Sequence, residues 1–462
     1  MLTLLTDYRS RDCSGLTRRD FIKIGALGLG SLALPGLLAA RATAAAAGQH
    51  DFVKDKSIVL LFLAGGASHI ETFDPHMEAS SEIRSVTGEL PTTLSGITFG
   101  GTFPGLAKLA HRMAIVRSFS HSVTDHAKAI QHVLTAGHPA RVSMGSIYSR
   151  FRGTNHPRSG LPTYAAITAP EVDPQYRTER ERVLVGSAPG SLGPAFAPFD
   201  PNGGAPAIKS MELSIPRRQF EDRRSLLLAL DQLNRRMDAS GTMAAMDLYT
   251  QQAFDVILRG AGGAFDLTKE DPKLTARYDT SRFQVGKKAF RPSTLGHQML
   301  LARRLCEAGC GFVTVQNAGW DMHADGNNPG MESGMEMLGR PLDQAVSAFL
   351  EDVGSRGLSD KILLVITGDF GRTPKLNARG GRDHWANLGT LAFAGGGLKM
   401  GQVIGRSSRN ADEPASDPIT PQHLMATIMH TLFDIGKLRV QRGLPNDLLA
   451  FVEQTQPIAG LL

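Results

Sequence analysis

The chain has 462 residues, 50 Lys+Arg against 44 Asp+Glu, and 6% aromatic residues. It has no dense Lys/Arg stripe and few aromatics, so nucleic-acid binding is unsupported. Its length provides for a large hydrophobic core that does not depend on disulfides.

Thr17-Arg18-Arg19-Asp20-Phe21-Ile22-Lys23 is a twin-arginine pattern. An apolar, Gly/Ala-rich stretch over 24–40 follows, then small residues around Ala42-Thr43-Ala44-Ala45-Ala46-Ala47. Residues 1–47 therefore read as a cleavable export signal, cut between Ala44 and Gln49. The rival reading is a membrane anchor, since about 20 apolar residues span a bilayer. Gly25, Gly28, Gly30, Pro35 and Gly36 interrupt the stretch, and no stable span is expected after cleavage. The twin-arginine translocase is the expected partner during export, and the periplasm or extracellular space the destination. Without residues 1–47 the chain keeps 44 Lys+Arg and 41 Asp+Glu, a net charge of +3.

Residues 57–64 (SIVLLFLA) are a continuous apolar run closed by Gly65-Gly66, the pattern of a buried parallel strand. A helix is expected over 103–111 and a strand over 113–119. Residues 124–136 read as a helix capped by Thr124 or a neighbour, and 163–168 as a strand. Residues 170–210 are rich in Pro, Gly and Ala, and 217–260 is helical, with Arg217-Arg218 and Arg223-Arg224 on a solvated face. Residues 265–281, with Asp271-Pro272, read as a loop. Together these form an excursion around 170–290 within a single domain spanning 48–462.

A helix over 295–308 leads into a strand at 311–317. Cys306 and Cys310, the only cysteines beyond the leader, sit at the foot of that strand and read as packing residues. A long helix over 331–354, a buried strand at 361–367 (KILLVIT), a strand at 390–394 and a helix over 420–434 follow, the last with Pro421 in its first turn. Strands alternating with helices predict an α/β fold, a three-layer sandwich with a mainly parallel central sheet.

In open α/β sheets, ligands bind beyond the carboxyl ends of the strands. The first strand is followed by His69, Glu71 and Asp74, the second by His121, Asp125 and His126. Later strands are followed by Asp321 with His323 and by Asp369, with Asp383 and His384 in a glycine-rich loop beyond. Buried ionised groups are costly unless paired or bound to metal, so acids and imidazoles gathered at one rim are a metal-site signal. Each also has a structural alternative. Asp321 and Asp369 are possible caps, His323 and His384 possible hydrogen-bonded core histidines, and Asp383 a partner for Arg382 or Arg372. Among His121, His126, His132 and His138, the metal reading stays open only for the first two. Arg372 either holds an anionic substrate oxygen bidentately or neutralises Asp369.

The blocks GGASHIETFDP, SFSHSVTDHAKAIQHVLTAGHP, GWDMH, TGDFGRTP and GGRDHW, with the leader, resemble the bacterial family called domain of unknown function 1501. The resemblance covers nearly the whole chain beyond the leader. That family belongs to the alkaline phosphatase-like superfamily, alongside sulfatases and phosphoglycerate mutases. The resemblance implies an alkaline phosphatase-like fold holding one or two divalent metals, Zn, Mn, Ca or Mg. It implies Asp321 and His323 as a metal pair, Asp369 as a second acid and His384 as the late histidine. Glu71 or Asp74 would be the first-strand acid, where the family more often has Asp in place of Glu71. Active superfamily members use a Ser, Thr or modified Cys beside the metal. Thr124 is the choice here over Ser122, Ser68 and Thr72, with Arg372 as a catalytic partner. The sulfatase Cys-x-Pro-x-Arg signature is absent, which disfavours a formylglycine enzyme.

The expected function is an exported metal-dependent hydrolase of phosphate or sulfate esters, acting on a small-molecule or polymer substrate. The alternative is a non-catalytic exported binding or envelope-assembly protein on the same fold. A third reading is a phosphomutase-type transferase.

Overall fold

The apolar run that opens the domain forms strand β1 (Ser57–Ala64), buried at every position but the first. The structure is a computed structural model and describes residues 51–168, 176–201 and 261–462. The expected leader, the helical stretch 217–260 and parts of the 170–210 segment lie outside the described residues. Two short antiparallel pairs, β2 (Glu89–Pro91) with β3 (Thr98–Gly100) and β6 (Gln284–Val285) with β7 (Arg291–Pro292), stand apart from the central sheet. The central sheet contains β4 (Met113–Val116), β5 (Tyr164–Ile167), β8 (Phe312–Ala318), β9 (Ile362–Gly368), β12 (Leu391–Gly395) and β13 (Gln402–Ile404) besides β1, in the order β13-β4-β12-β9-β1-β8-β5. A further pair, β10 (Gly371–Arg372) with β11 (His384–Trp385), follows β9.

β5, β8, β1 and β9 are parallel neighbours. β12 runs against both of its neighbours, β9 and β4. The sheet is therefore mainly parallel with one reversed strand. Strand direction leaves no mark on an apolar run, so the reversal of β12 was not readable from its sequence. All seven residues of β9 are buried, and burial of each of its aliphatic side chains contributes about 1.5–3 kcal/mol.

Alternate residues of β1 serve the two faces. Val59, Leu61 and Leu63 join the core cluster that contains side chains of helices Leu295–Glu307 and Arg340–Ser355. Helices His126–Thr135, Met144–Arg152, Arg177–Gly186 and Pro421–Leu432 pack as a second set, of which the last two also reach β1. The result is three layers. Cys306 and Cys310 are free and buried.

Several expectations are corrected. The 265–281 segment contains a helix, Pro272–Tyr278, in which Asp271 accepts from Lys273 N–H as the cap and Pro272 fills the first turn. The Asp-Pro pair that read as a break is a helix start. The 331–354 helix is divided by a π-helical turn, Met335–Gly339, ahead of Arg340–Ser355 with Pro341 in its first turn. A proline there has no N–H to place in the α-helical ladder. The helix expected over 124–136 begins at His126, and its cap is Asp125, the neighbour of Thr124, which accepts from Lys128 N–H at 3.0 Å. Among the described residues no helix is long and apolar enough to cross a membrane.

The register sets up the functional rim. Leu63 of β1 lies level with Asn317 of β8 and Gly368 of β9, so the chain leaves all three strands side by side. Gly65 makes this close approach possible. Its φ is +109°, and a Cβ there would stand 2.5 Å from the Asp321 nitrogen, so only glycine fits without strain.

Candidate metal centre

Four segments meet beyond these strand ends. β8 runs into Gly319-Trp320-Asp321-Met322-His323, whose Trp320 N–H is tied to Ala64 O at 3.1 Å. β9 ends beside Asp369. The antiparallel pair β10–β11 sets Arg372 opposite His384. Helix His126–Thr135 starts with His126 over the same point.

Asp321 is the hub. Its Oδ1 lies 2.9 Å from His323 Nε2 and 3.4 Å from His384 Nε2, and its Oδ2 lies 3.4 Å from His126 Nε2. The His323 and His384 Nε2 atoms are 2.9 Å apart. His126, Asp321 and His384 each offer a ligand atom, all within 4.8 Å of one another.

The far nitrogen of every ring is tied to oxygen. His126 Nδ1 lies 2.5 Å from Asp369 Oδ2, His323 Nδ1 2.8 Å from Asp383 Oδ1, and His384 Nδ1 3.0 Å from the Thr124 carbonyl. Ionised carboxylates and carbonyls only accept, so each Nδ1 carries a proton and each ring turns its Nε2 inward, where the lone pair of the neutral form would face a metal. Metal-ligating histidines are oriented by this kind of outer hydrogen bond. Two inward lone pairs 2.9 Å apart need a proton or a cation between them. The buried His126 Nε2 has no hydrogen-bond partner, since Asp321 Oδ2 lies within ion-pair distance but outside hydrogen-bond geometry. Ligands of a tetrahedral zinc at 2.0–2.1 Å stand about 3.3 Å apart, close to the separations here. The donor set fits a divalent metal.

The expected site residues divide. Asp321, His323 and His384 come together. Asp369, fully buried, stands one step out: its Oδ1 accepts from Gly65 N–H at 3.0 Å while its Oδ2 faces His126. Glu71 is not in the cluster. Its carboxylate is sealed against Arg382 Nη2 at 3.0 Å, Ser85 Oγ at 2.7 Å and Val86 N–H at 3.1 Å, with both charged groups fully buried. A carboxylate enclosed in that way has no face left for a metal. Asp74 pairs instead with Arg117 and His76, both at 3.1 Å. Thr124, exposed, reaches the cluster through its backbone carbonyl alone among its described contacts.

Arg372 neutralises Asp321, not Asp369. Its Nη2 lies 2.5 Å from Asp321 Oδ1 and also donates to Gly65 O; Nε donates to Gly66 O at 2.8 Å and Nη1 to Arg382 O at 3.1 Å. The guanidinium is fully buried, so its fork holds the strand ends and has no face for substrate. Asp383 pairs with His323 and with neither arginine.

Electrostatics follow the geometry. Burial disfavours charge on His126, but the Asp321 and Asp369 carboxylates outweigh it and raise its pKa to about 9. Burial opposes charge on Asp321 too, yet His126, His323, His384 and Arg372 hold it well below the usual carboxylate range. His121 donates or accepts locally, to Asp369 O at 2.6 Å and from Val123 N–H, and burial lowers its pKa to about 4. It stays outside the centre, as do His132 and His138.

His126 was one of four histidines in its block, and only the fold singles it out. Glu179 was missed altogether. It is buried on helix Arg177–Gly186 and accepts from Gly319 N–H at 2.7 Å. Burial raises its pKa to about 8, and Asp321 and Asp369 push in the same direction. In the run Arg177-Thr178-Glu179-Arg180-Glu181-Arg182, nothing distinguishes Glu179 from the exposed Glu181.

The profile of the family described as "Protein of unknown function (DUF1501)" matches residues 55–440. No curated protein matches the chain. Similar solved structures include the lipoteichoic acid synthase LtaP from Listeria monocytogenes, at 10% identity and a TM-score of 0.36, covering 86% of this chain and 77% of that one. They also include the PsFucS1 sulfatase from Pseudoalteromonas sp., at 14% identity and 0.33, covering 84% and 69%. A third is the phosphonate monoester hydrolase SpPMH from Silicibacter pomeroyi, at 11% identity and 0.33, covering 81% and 72%.

Proposed function

We propose that this chain, which belongs to the DUF1501 family, is an exported metal-dependent hydrolase of phosphate or sulfate esters. The reading is carried by the convergence of His126, His323 and His384 on Asp321, with each Nδ1 tied to oxygen. A divalent ion bound there would polarise an ester oxygen and activate water. His126, Asp321 and His384 would hold the ion, and three protein ligands would leave a position open for substrate. Asp369, Asp383 and the Thr124 carbonyl keep the rings in place. Arg372 fixes Asp321 between the ends of β1 and β8.

The test is metal content and hydrolysis in protein purified without chelator, beside His384→Ala. Release of nitrophenol from para-nitrophenyl phosphate, its diester or para-nitrophenyl sulfate is expected to depend on the bound ion and to be lost in the variant. Hydrolysis unaffected by chelator or by His384→Ala would refute the reading.

His323 favours a second reading. Its Nε2 is as near Asp321 and His384 as a ligand would be, and a fourth protein donor would close the shell as structural sites are closed. The chain would then be a non-catalytic exported binding or envelope-assembly protein. A stoichiometric ion with no hydrolysis of any of the three esters would favour it.

Export by the twin-arginine translocase rests on Arg18-Arg19 and the apolar stretch behind them. Replacing both arginines by lysine should leave the protein in the cytoplasm; unchanged export would count against that route.

A further inference from the structure

The donors at this centre are mostly nitrogen, and each nearby carboxylate other than Asp321 is turned to a partner of its own. Asp369 uses both carboxylate oxygens, on Gly65 N–H and His126 Nδ1. Asp383 Oδ1 is held by His323 Nδ1, and Glu71 is sealed against Arg382. Glu179 is tied to Gly319 N–H. That leaves Asp321 and three imidazoles. Ca²⁺ takes six to eight oxygens and Mg²⁺ a near-octahedral oxygen shell, whereas imidazole suits zinc and its transition-metal neighbours.

The space beside the ion is filled as well. The Phe370 ring lies 4.8 Å from the His126 ring and 4.7 Å from the His384 ring, centre to centre. On the Asp321 side stands Arg372, a permanent cation bonded to Asp321 Oδ1 and pinned by the Gly65, Gly66 and Arg382 carbonyls. A second ion bridging Asp321 would have to displace this guanidinium.

We propose that the centre holds a single ion of the zinc class in preference to Ca²⁺ or Mg²⁺, with the Arg372 guanidinium standing where a second cation would bridge Asp321. This rests on the metal-dependent reading above. The Asp321–Arg372 contact supplies the second positive charge without a second metal, and the Nε2 atoms of His126 and His384 set the selectivity.

The experiment is elemental analysis of the full chain after equilibration with Zn²⁺ in the presence of excess Ca²⁺ and Mg²⁺, followed by dialysis. Substitution with Co²⁺ provides a spectroscopic readout that needs no substrate. About one zinc per chain, and the intense visible absorption of low-coordinate Co²⁺, are expected. In His126→Asp, which exchanges a nitrogen donor for oxygen, zinc retention should fall relative to Mg²⁺ or Ca²⁺ while circular dichroism stays that of the folded chain. Ca²⁺ or Mg²⁺ bound in place of zinc would overturn the selectivity and leave metal dependence standing. Two zinc ions per chain would overturn the role given to Arg372. No divalent ion under any loading would overturn this inference and the metallohydrolase reading together.

Discussion

Asp369 and His126, 243 residues apart in the chain, meet at 2.5 Å between Oδ2 and Nδ1. The contact makes the acid at the end of β9 an orienter of a ligand. Because Gly65 N–H holds its other oxygen, Asp369 links the ends of β1 and β9 to the start of helix His126–Thr135.

Asp369→Asn should therefore weaken zinc binding by about 10- to 100-fold, the range for loss of an outer-shell partner, with the fold retained. His384→Ala should weaken it further. Competition against a chelator of known affinity measures both, and equal losses would place Asp369 among the direct ligands.

Thr124 touches His384 through its carbonyl, a contact that survives removal of the side chain. Thr124→Ala is expected to keep both metal content and ester hydrolysis near those of the unmodified protein. Loss of hydrolysis with metal retained would restore Thr124 as the nucleophile.

Glu71 and Arg382 form a fully buried pair. Removing one partner of such a pair leaves an uncompensated charge and costs about 3–5 kcal/mol. Urea unfolding of Glu71→Ala should show a loss of that size, with metal stoichiometry unchanged in the folded fraction. A stable variant lacking metal would mean that Glu71 is a ligand.

The pH dependence of the ion-free protein follows from His126. Its folded pKa is about 9, above the ordinary 6.5. Its contribution to stability is thus fully present below about 6.5 and is lost as pH rises through about 9. Metal requires the neutral ring, so binding expels this proton and apparent affinity should climb with pH up to about 9. Chelator competition across that window measures the slope, and a flat profile would show that His126 is not a ligand.

Much of the frame was legible in the sequence because its signals are local. The apolar runs at 57–64 and 361–367 appear as β1 and β9 within a residue, and Asp369, Asp383 and His384 after the second gather with Asp321 and His323, whereas Glu71 and Asp74 after the first do not join them. Asp271-Pro272 misled because the same pair breaks one helix and starts another. The reversed β12 was hidden because apolar patterning is the same in either direction.

What the sequence by itself determined is the set of buried strands and the chemistry of the turns beyond them: Asp321, His323, Asp369 and His384 among glycines. Only the tertiary structure decided which of these meet. Glu71 is drawn to Arg382 and away from the centre, His126 is brought in by Asp369, and Arg372 is spent on Asp321 and four backbone carbonyls. The reason is physical. A side chain's identity sets which partners it can take, but a buried charge pairs with the partner the crossing of distant strands sets beside it, and no local pattern carries that crossing.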